Sequence, residues 1–171
     1  MDWVKWLREI PDFPQPGILF RDVLPIMARP KAWKEVLDEL EGRLRPLAPS
    51  AILAPEARGF LIAAPLADRL NVGLVPVRKA GKLPDPVISE SYSLEYGENE
   101  LTLELDSNLA TKRVIIVDDV LATGGTVAAV ARLASRASAQ VVGFAFLIEL
   151  VALQGRARLN SSTEIISLLS L

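Results

Sequence analysis

The chain of 171 residues contains no cysteine and no histidine. The first absence excludes disulfides and thiolate metal sites. The second removes the commonest general acid–base and the commonest transition-metal ligand. Any proton transfer must therefore fall to carboxylates, Lys or Tyr. There is no excess of positive charge either: the net charge of −2 offers no case for nucleic acid or an anionic membrane surface as partner. No stretch approaches the roughly 20 apolar residues of a membrane-spanning helix. The first nine residues carry charge where a secretory signal would carry an apolar run. A cytoplasmic protein is expected, with neither membrane nor nucleic-acid partner. What the chain does have is an apolar half and an ordinary 23 % of charged residues. That composition suits one globular domain over residues 1–171, with a sizeable core.

Hydrophobic periodicity alternates between the two regular structures. Asp2 can cap a short helix through Glu9, and Pro11, Pro14, Pro16 and Gly17 predict a loop over 11–22. Pro30 starts a helix with Trp33, Val36, Leu37, Leu40 and Leu44 on one stripe. Buried strands are expected at 51–54, 72–77, 113–118 and 140–149, with a last one near 165–167. Helices are expected from Phe60 to Leu70, with Phe60, Ala63, Ala64, Ala67 and Leu70 inward, and at 126–137 and 151–159. Residues 79–100 read as an excursion with a hairpin, and Leu101, Leu103 and Leu105 as one face of a half-exposed strand. The alternation predicts an α/β domain on a parallel sheet, with the first 50 residues as a small subdomain.

Residues 113–126, RVIIVDDVLATGGT, are the most informative stretch. Four consecutive β-branched residues, Val114 to Val117, favour a strand covered on both faces. They end in Asp118 and Asp119. Ala122-Thr123-Gly124-Gly125-Thr126 then opens a helix. Glycines let backbone N–H groups turn inward, and the first N–H groups of a helix have no intrahelical partner. With the helix dipole these donors make an anion site. Adjacent carboxylates repel a phosphate but accept from vicinal hydroxyls. Acids before such a loop therefore suit a sugar phosphate, whereas the loop alone reads equally as a helix cap.

This stretch resembles the phosphoribosyl-pyrophosphate (PRPP) signature of the type I phosphoribosyltransferases, in the DDxLATGGT form of the adenine phosphoribosyltransferase family. The resemblance extends to IPDFPQPGILFRD at 10–22, EARGF at 56–60, PVRKAGKLP at 76–84, YSLEYG at 92–97 and IEL at 148–150. It implies the parallel-sheet fold of that family with a flexible hood over roughly 79–103. The implied reaction is adenine plus PRPP giving AMP and pyrophosphate, with Mg²⁺ held mainly by PRPP, in a homodimer.

The resemblance also implies the site. Glu95 is the catalytic residue, in the hood that closes over the base. PRPP is held by Arg58, Arg78, Lys79, Lys82, Tyr96, Asp118, Asp119, Ala122, Thr123, Gly124, Gly125 and Thr126, with Arg78 reaching the neighbouring subunit's PRPP. Adenine lies among Leu19, Phe20, Arg21 and Leu150. Taken alone, Arg78-Lys79 and Lys82 would read as solvated surface, Glu95 as an exposed loop acid, and Phe20 as a core anchor. Two rivals are weighed: a relative acting on another base, and a PRPP-sensing regulator, for which the chain has neither a winged-helix domain nor a basic face.

Overall fold

The computed structural model describes residues 2–94, 97–105 and 107–171; Ser93, Leu94, Gly97 and Glu98 are described in backbone only. It divides into two compact units, one ending at Glu39 and one running from Leu40 to Leu171. The boundary lies ten or so residues earlier than the expected subdomain edge, inside a helix.

The N-terminal unit opens with a 3-10 turn, Asp2–Trp6, rather than a helix reaching Glu9. Residues expected to form a loop instead build an antiparallel pair, β1 (Arg8–Pro11) and β2 (Leu19–Asp22), in register from Arg8↔Asp22 to Pro11↔Leu19. In a two-stranded ribbon each strand is an edge, where proline is tolerated because no second neighbour needs its N–H. Arg8 closes the ribbon by donating from Nε to Asp22 Oδ2 at 3.0 Å. A single turn, α1 (Leu24–Met27), leads to α2 (Pro30–Leu44), which carries the expected stripe. Val36, Leu37, Leu40 and Leu44 are buried, and Trp33 is half-buried.

The larger unit is a seven-stranded sheet. Its strands are β3 (Ala51–Pro55), β4 (Gly73–Lys79), β5 (Val87–Leu94), β6 (Gly97–Glu104), β7 (Arg113–Leu121), β8 (Gln140–Glu149) and β9 (Glu164–Ser170). They lie in the order β5-β6-β4-β3-β7-β8-β9. The strands from β4 to β9 are parallel, and the β5–β6 hairpin is added antiparallel to β4. Helices α3 (Arg58–Leu70) and α4 (Gly125–Arg136) follow β3 and β7. All five residues of β3 are buried, as are Val114 to Val117 of β7. These continuous apolar runs are the pattern of parallel strands covered on both faces.

Three further details differ from the sequence reading. The inward face of α3 is Gly59, Ile62, Ala63, Leu66, Ala67 and Leu70, while Ala64 is exposed and Phe60 half-buried. The segment expected as a helix at 151–159 is two 3-10 turns, Val151–Leu153 and Gly155–Arg158. The hairpin is also less of an excursion than expected. Leu101, Thr102 and Leu103 are buried, and Ile88 and Tyr92 pack on the core; of the three leucines at 101, 103 and 105, Leu105 is exposed. Arg132 and Arg136 of α4 tie its base through Glu90 and the Ser89 carbonyl.

Topology marks where a ligand would sit. From β3 the chain goes to β4 on one side and returns through β7 on the other. In open α/β sheets the crevice at such a reversal, beyond the strand C-termini, is the usual binding place. Here the β3–β7 ladder pairs Ala51–Leu53 with Val114–Ile116, while the β7–β8 ladder continues to Leu121↔Glu149.

Candidate active site

Asp118 and Asp119 do not end the strand, as the sequence suggested; both belong to β7, which runs two residues further. Pairing with Phe146 and Ile148 of β8 carries the acids in extended backbone to the rim of the crevice. Asp119 is only 3 % exposed, and its carboxylate is bound by Arg58 Nε at the start of α3. Asp118 accepts from the Asp119 N–H at 2.9 Å. Burial, and next the charge of Asp119, push the Asp118 carboxyl well above the usual carboxylate range, with Arg58 acting weakly in the other direction. The β3–α3 turn reaches β7 through Gly59. A Cβ there would stand 3.1 Å from the Val117 carbonyl and 3.2 Å from Asp118 Oδ1. Glu56 at the same turn accepts from Arg78 Nε at 2.7 Å, joining the turn to β4.

Immediately beyond β7 the chain bends at Gly124, whose φ of +79° is left-handed. Helix α4 begins at Gly125 with no side chain capping it. Its first N–H groups thus have no partner within the helix, and they stand a few residues beyond the paired acids. Backbone N–H donors and a pair of carboxylates are therefore adjacent in the chain and at one end of the sheet. Leu150 lies at the same rim, its N–H donating to the Leu121 carbonyl at 2.9 Å.

Residues 27–167 match the family described as phosphoribosyl transferase domain. An adenine phosphoribosyltransferase of Thermosipho melanesiensis is 51 % identical over 166 residues, covering 97 % of this chain and 94 % of its own. The chain belongs to the adenine phosphoribosyltransferase family. The crystal structure of the family member from Thermoanaerobacter pseudethanolicus superposes with a TM-score of 0.95 at 46 % identity, covering 99 % of this chain and 98 % of that one. The Saccharomyces cerevisiae member, at TM-score 0.93 and 37 % identity, covers 98 % and 96 % of the two chains. It was crystallised with adenine and D-2,5-dideoxy-2,5-imino-altritol 1,6-bisphosphate.

Against the site that adenine phosphoribosyltransferases imply, the larger unit gathers Arg58, Asp118 and Asp119, with loop 122–126 following the acids and Leu150 hydrogen-bonded to the strand that carries them. Arg78 is at the end of β4, paired with Glu56, and Lys79 and Lys82 are exposed beside it. Leu19, Phe20 and Arg21 belong to the N-terminal unit. Leu19 is 44 % exposed, Phe20 packs edge-to-face on Phe13 with centroids 5.2 Å apart, and Arg21 pairs with Glu9. Glu95 and Tyr96 lie outside the described residues. Sequence reasoning missed Gly59 and the partner roles of Glu56 and Asp119; EARG does carry the acid and the arginine, but not their pairing.

The burial of Asp118 beside Asp119 leads to an expected result. Asp118→Asn should raise the melting temperature of the ligand-free protein near pH 7. A carboxyl whose folded pKa is raised contributes stability below its unfolded pKa and loses it as pH rises through the folded value. Asn relieves that loss, so its advantage should vanish below about pH 4. The same change, combined with Asp119→Asn, should raise Kd for PRPP about tenfold or more, since hydrogen bonds to charged groups are lost. Thermal melts across pH and a PRPP titration check both. A stability gain that persists at low pH, or unaltered PRPP affinity, would contradict the assignment.

Proposed function

We propose that this chain transfers the phosphoribosyl group of PRPP to N9 of adenine, giving AMP and pyrophosphate. The observation that carries the reading is the order at the end of β7: two acids in extended backbone, a left-handed Gly124, then an uncapped helix start. Backbone N–H groups of 122–126, with the Thr123 and Thr126 hydroxyls, hold the 5′-phosphate. Asp118 and Asp119 accept from the ribose 2′- and 3′-hydroxyls. Arg58 keeps Asp119 in place and adds positive charge for PRPP, and Arg78, Lys79 and Lys82 offset charge on the leaving pyrophosphate. Fixing the sugar at both ends supplies positioning, which can lower a barrier by roughly 7–11 kcal/mol. Leu150 flanks the purine. Glu95 manages its proton, and Tyr96 adds a PRPP contact.

Among the described residues no three carboxylates converge on a point that could hold a metal ion. Mg²⁺ would be held mainly by the oxygens of PRPP. When bound it supplies charge neutralisation at the leaving group. The proposal includes a cytoplasmic homodimer in which Arg78 serves the neighbouring copy's PRPP. Light scattering that gives a monomer would overturn that part.

A pyrophosphate-release assay with PRPP and each purine in turn tests the reading. Release is expected with adenine, in the presence of Mg²⁺, and not with hypoxanthine, guanine or xanthine. Turnover of hypoxanthine without adenine would replace the base assignment. PRPP binding with no release for any base would indicate a sensor.

A further inference from the structure

The turn after β8 meets the phosphate loop main chain to main chain. Beyond Glu149 the chain passes through Leu150 into the two 3-10 turns, which are separated by Gln154 at a left-handed φ of +51°. This brings Gly155 against the loop. A Cβ on Gly155 would fall 2.3 Å from the Ala122 carbonyl oxygen and 2.9 Å from Leu121 Cδ1. A Cβ on Gly124 would fall 2.5 Å from the Gly155 carbonyl oxygen. Two glycines thus allow an approach that no side chain permits at either position.

The next residue fastens this turn. Arg156 donates from Nε to Glu149 Oε1 and from Nη2 to Glu149 Oε2, each at 2.6 Å. Its Nη1 also donates to the Ile165 carbonyl at 3.2 Å. Glu149 is buried at the last position of β8, opposite Leu121 of β7. The Arg156 hydrogen bonds hold its carboxyl below the usual range. Parallel N–H···O bonds fix direction as well as distance. The mechanism above uses none of these three residues.

Residues 122–124 belong to no helix or strand, and no side chain caps the helix they lead into. Their conformation therefore depends on what lies behind them. We infer that Gly155 and the Arg156–Glu149 fork are positioning residues, a brace that aims the N–H groups of loop 122–126 and so sets the affinity for the 5′-phosphate of PRPP. The inference rests on reading that loop as the phosphate cradle.

Ribose 5-phosphate is the probe, because it engages the cradle without needing a base or a leaving group. In Gly155→Ala its Kd and the KM for PRPP should both rise about tenfold or more, the scale expected of a displacement near 1 Å. The KM for adenine should change much less. Arg156→Lys, which keeps the charge and loses the fork, should shift the same two constants in the same direction by a smaller factor. A merely structural role would lower the melting temperature and the active fraction but leave Kd for ribose 5-phosphate where it was, and that result would overturn the brace. If Gly155→Ala does not fold, Arg156→Lys decides by the same measurement. A wild-type chain that binds ribose 5-phosphate yet turns over no purine would defeat the proposed reaction while leaving the brace measurable. A wild-type chain that does not bind it would overturn brace and cradle together.

Discussion

Gly124→Ala is expected to lower kcat/KM for PRPP by about 10²- to 10³-fold. Two constraints act at this position. Its φ of +79° is one that L side chains rarely adopt, and the added methyl would meet the Gly155 carbonyl oxygen at 2.5 Å and its carbonyl carbon at 3.1 Å. Both obstacles are backbone, so neither can rotate aside. The loop itself must move, and with it the N–H donors that are useful only while they point at one place. Donors fixed in advance stabilise charge because nothing needs to reorganise during the reaction, and that advantage is lost once they are redirected. Steady-state kinetics with PRPP as the varied substrate, alongside a melting curve to show that the fold survives, check this. A variant that keeps wild-type kcat/KM would mean the phosphate is held elsewhere.

Glu95→Ala is expected to lower kcat by about 10²-fold or more, the range usual for a general acid or base, with PRPP affinity nearly unchanged. The whole chain has no histidine and no cysteine to take a proton. Asp118 and Asp119 are committed to one another and to Arg58. Glu149 is committed to Arg156, and Glu56 to Arg78. The segment YSLEYG, which resembles the hood of adenine phosphoribosyltransferases, supplies Glu95 for this role. A carboxylate enclosed with a purine has its pKa raised by desolvation, which suits it to hold a proton near neutral pH. Single-turnover kinetics at saturating PRPP separate this effect from binding. Undiminished kcat would remove Glu95 from the mechanism.

The parts that were legible in the sequence are those in which local chemistry and fold agree. Val114 to Val117 could hardly be anything but a buried strand, and Gly124-Gly125 before an apolar 3.6-residue stripe marks a loop and helix start. Other parts depended on partners far along the chain. Asp118 and Asp119 looked like the end of a strand because acids are poor strand formers, yet pairing with β8 keeps them extended. Pro11, Pro14 and Pro16 looked like a loop, but Pro11 sits at the end of an edge strand paired with Leu19. The face of α3 was misplaced because Phe60 outweighs Gly59 on any hydropathy scale. What decides the matter is that Gly59 must pass within van der Waals reach of β7. The fork of Arg156 on Glu149 spans seven residues across a turn, and Gly155 at the start of a short 3-10 turn carries no local signal at all.

The meeting of Gly124 and Gly155 restricts how this chain could evolve. In most packed pairs a larger residue on one side can be accommodated by a smaller one on the other. Here both positions already carry the smallest side chain in the genetic code, so no second-site change at either can rescue the first. Variation toward other phosphorylated donors is thereby channelled into side chains around the loop, while the main-chain path through it stays the same.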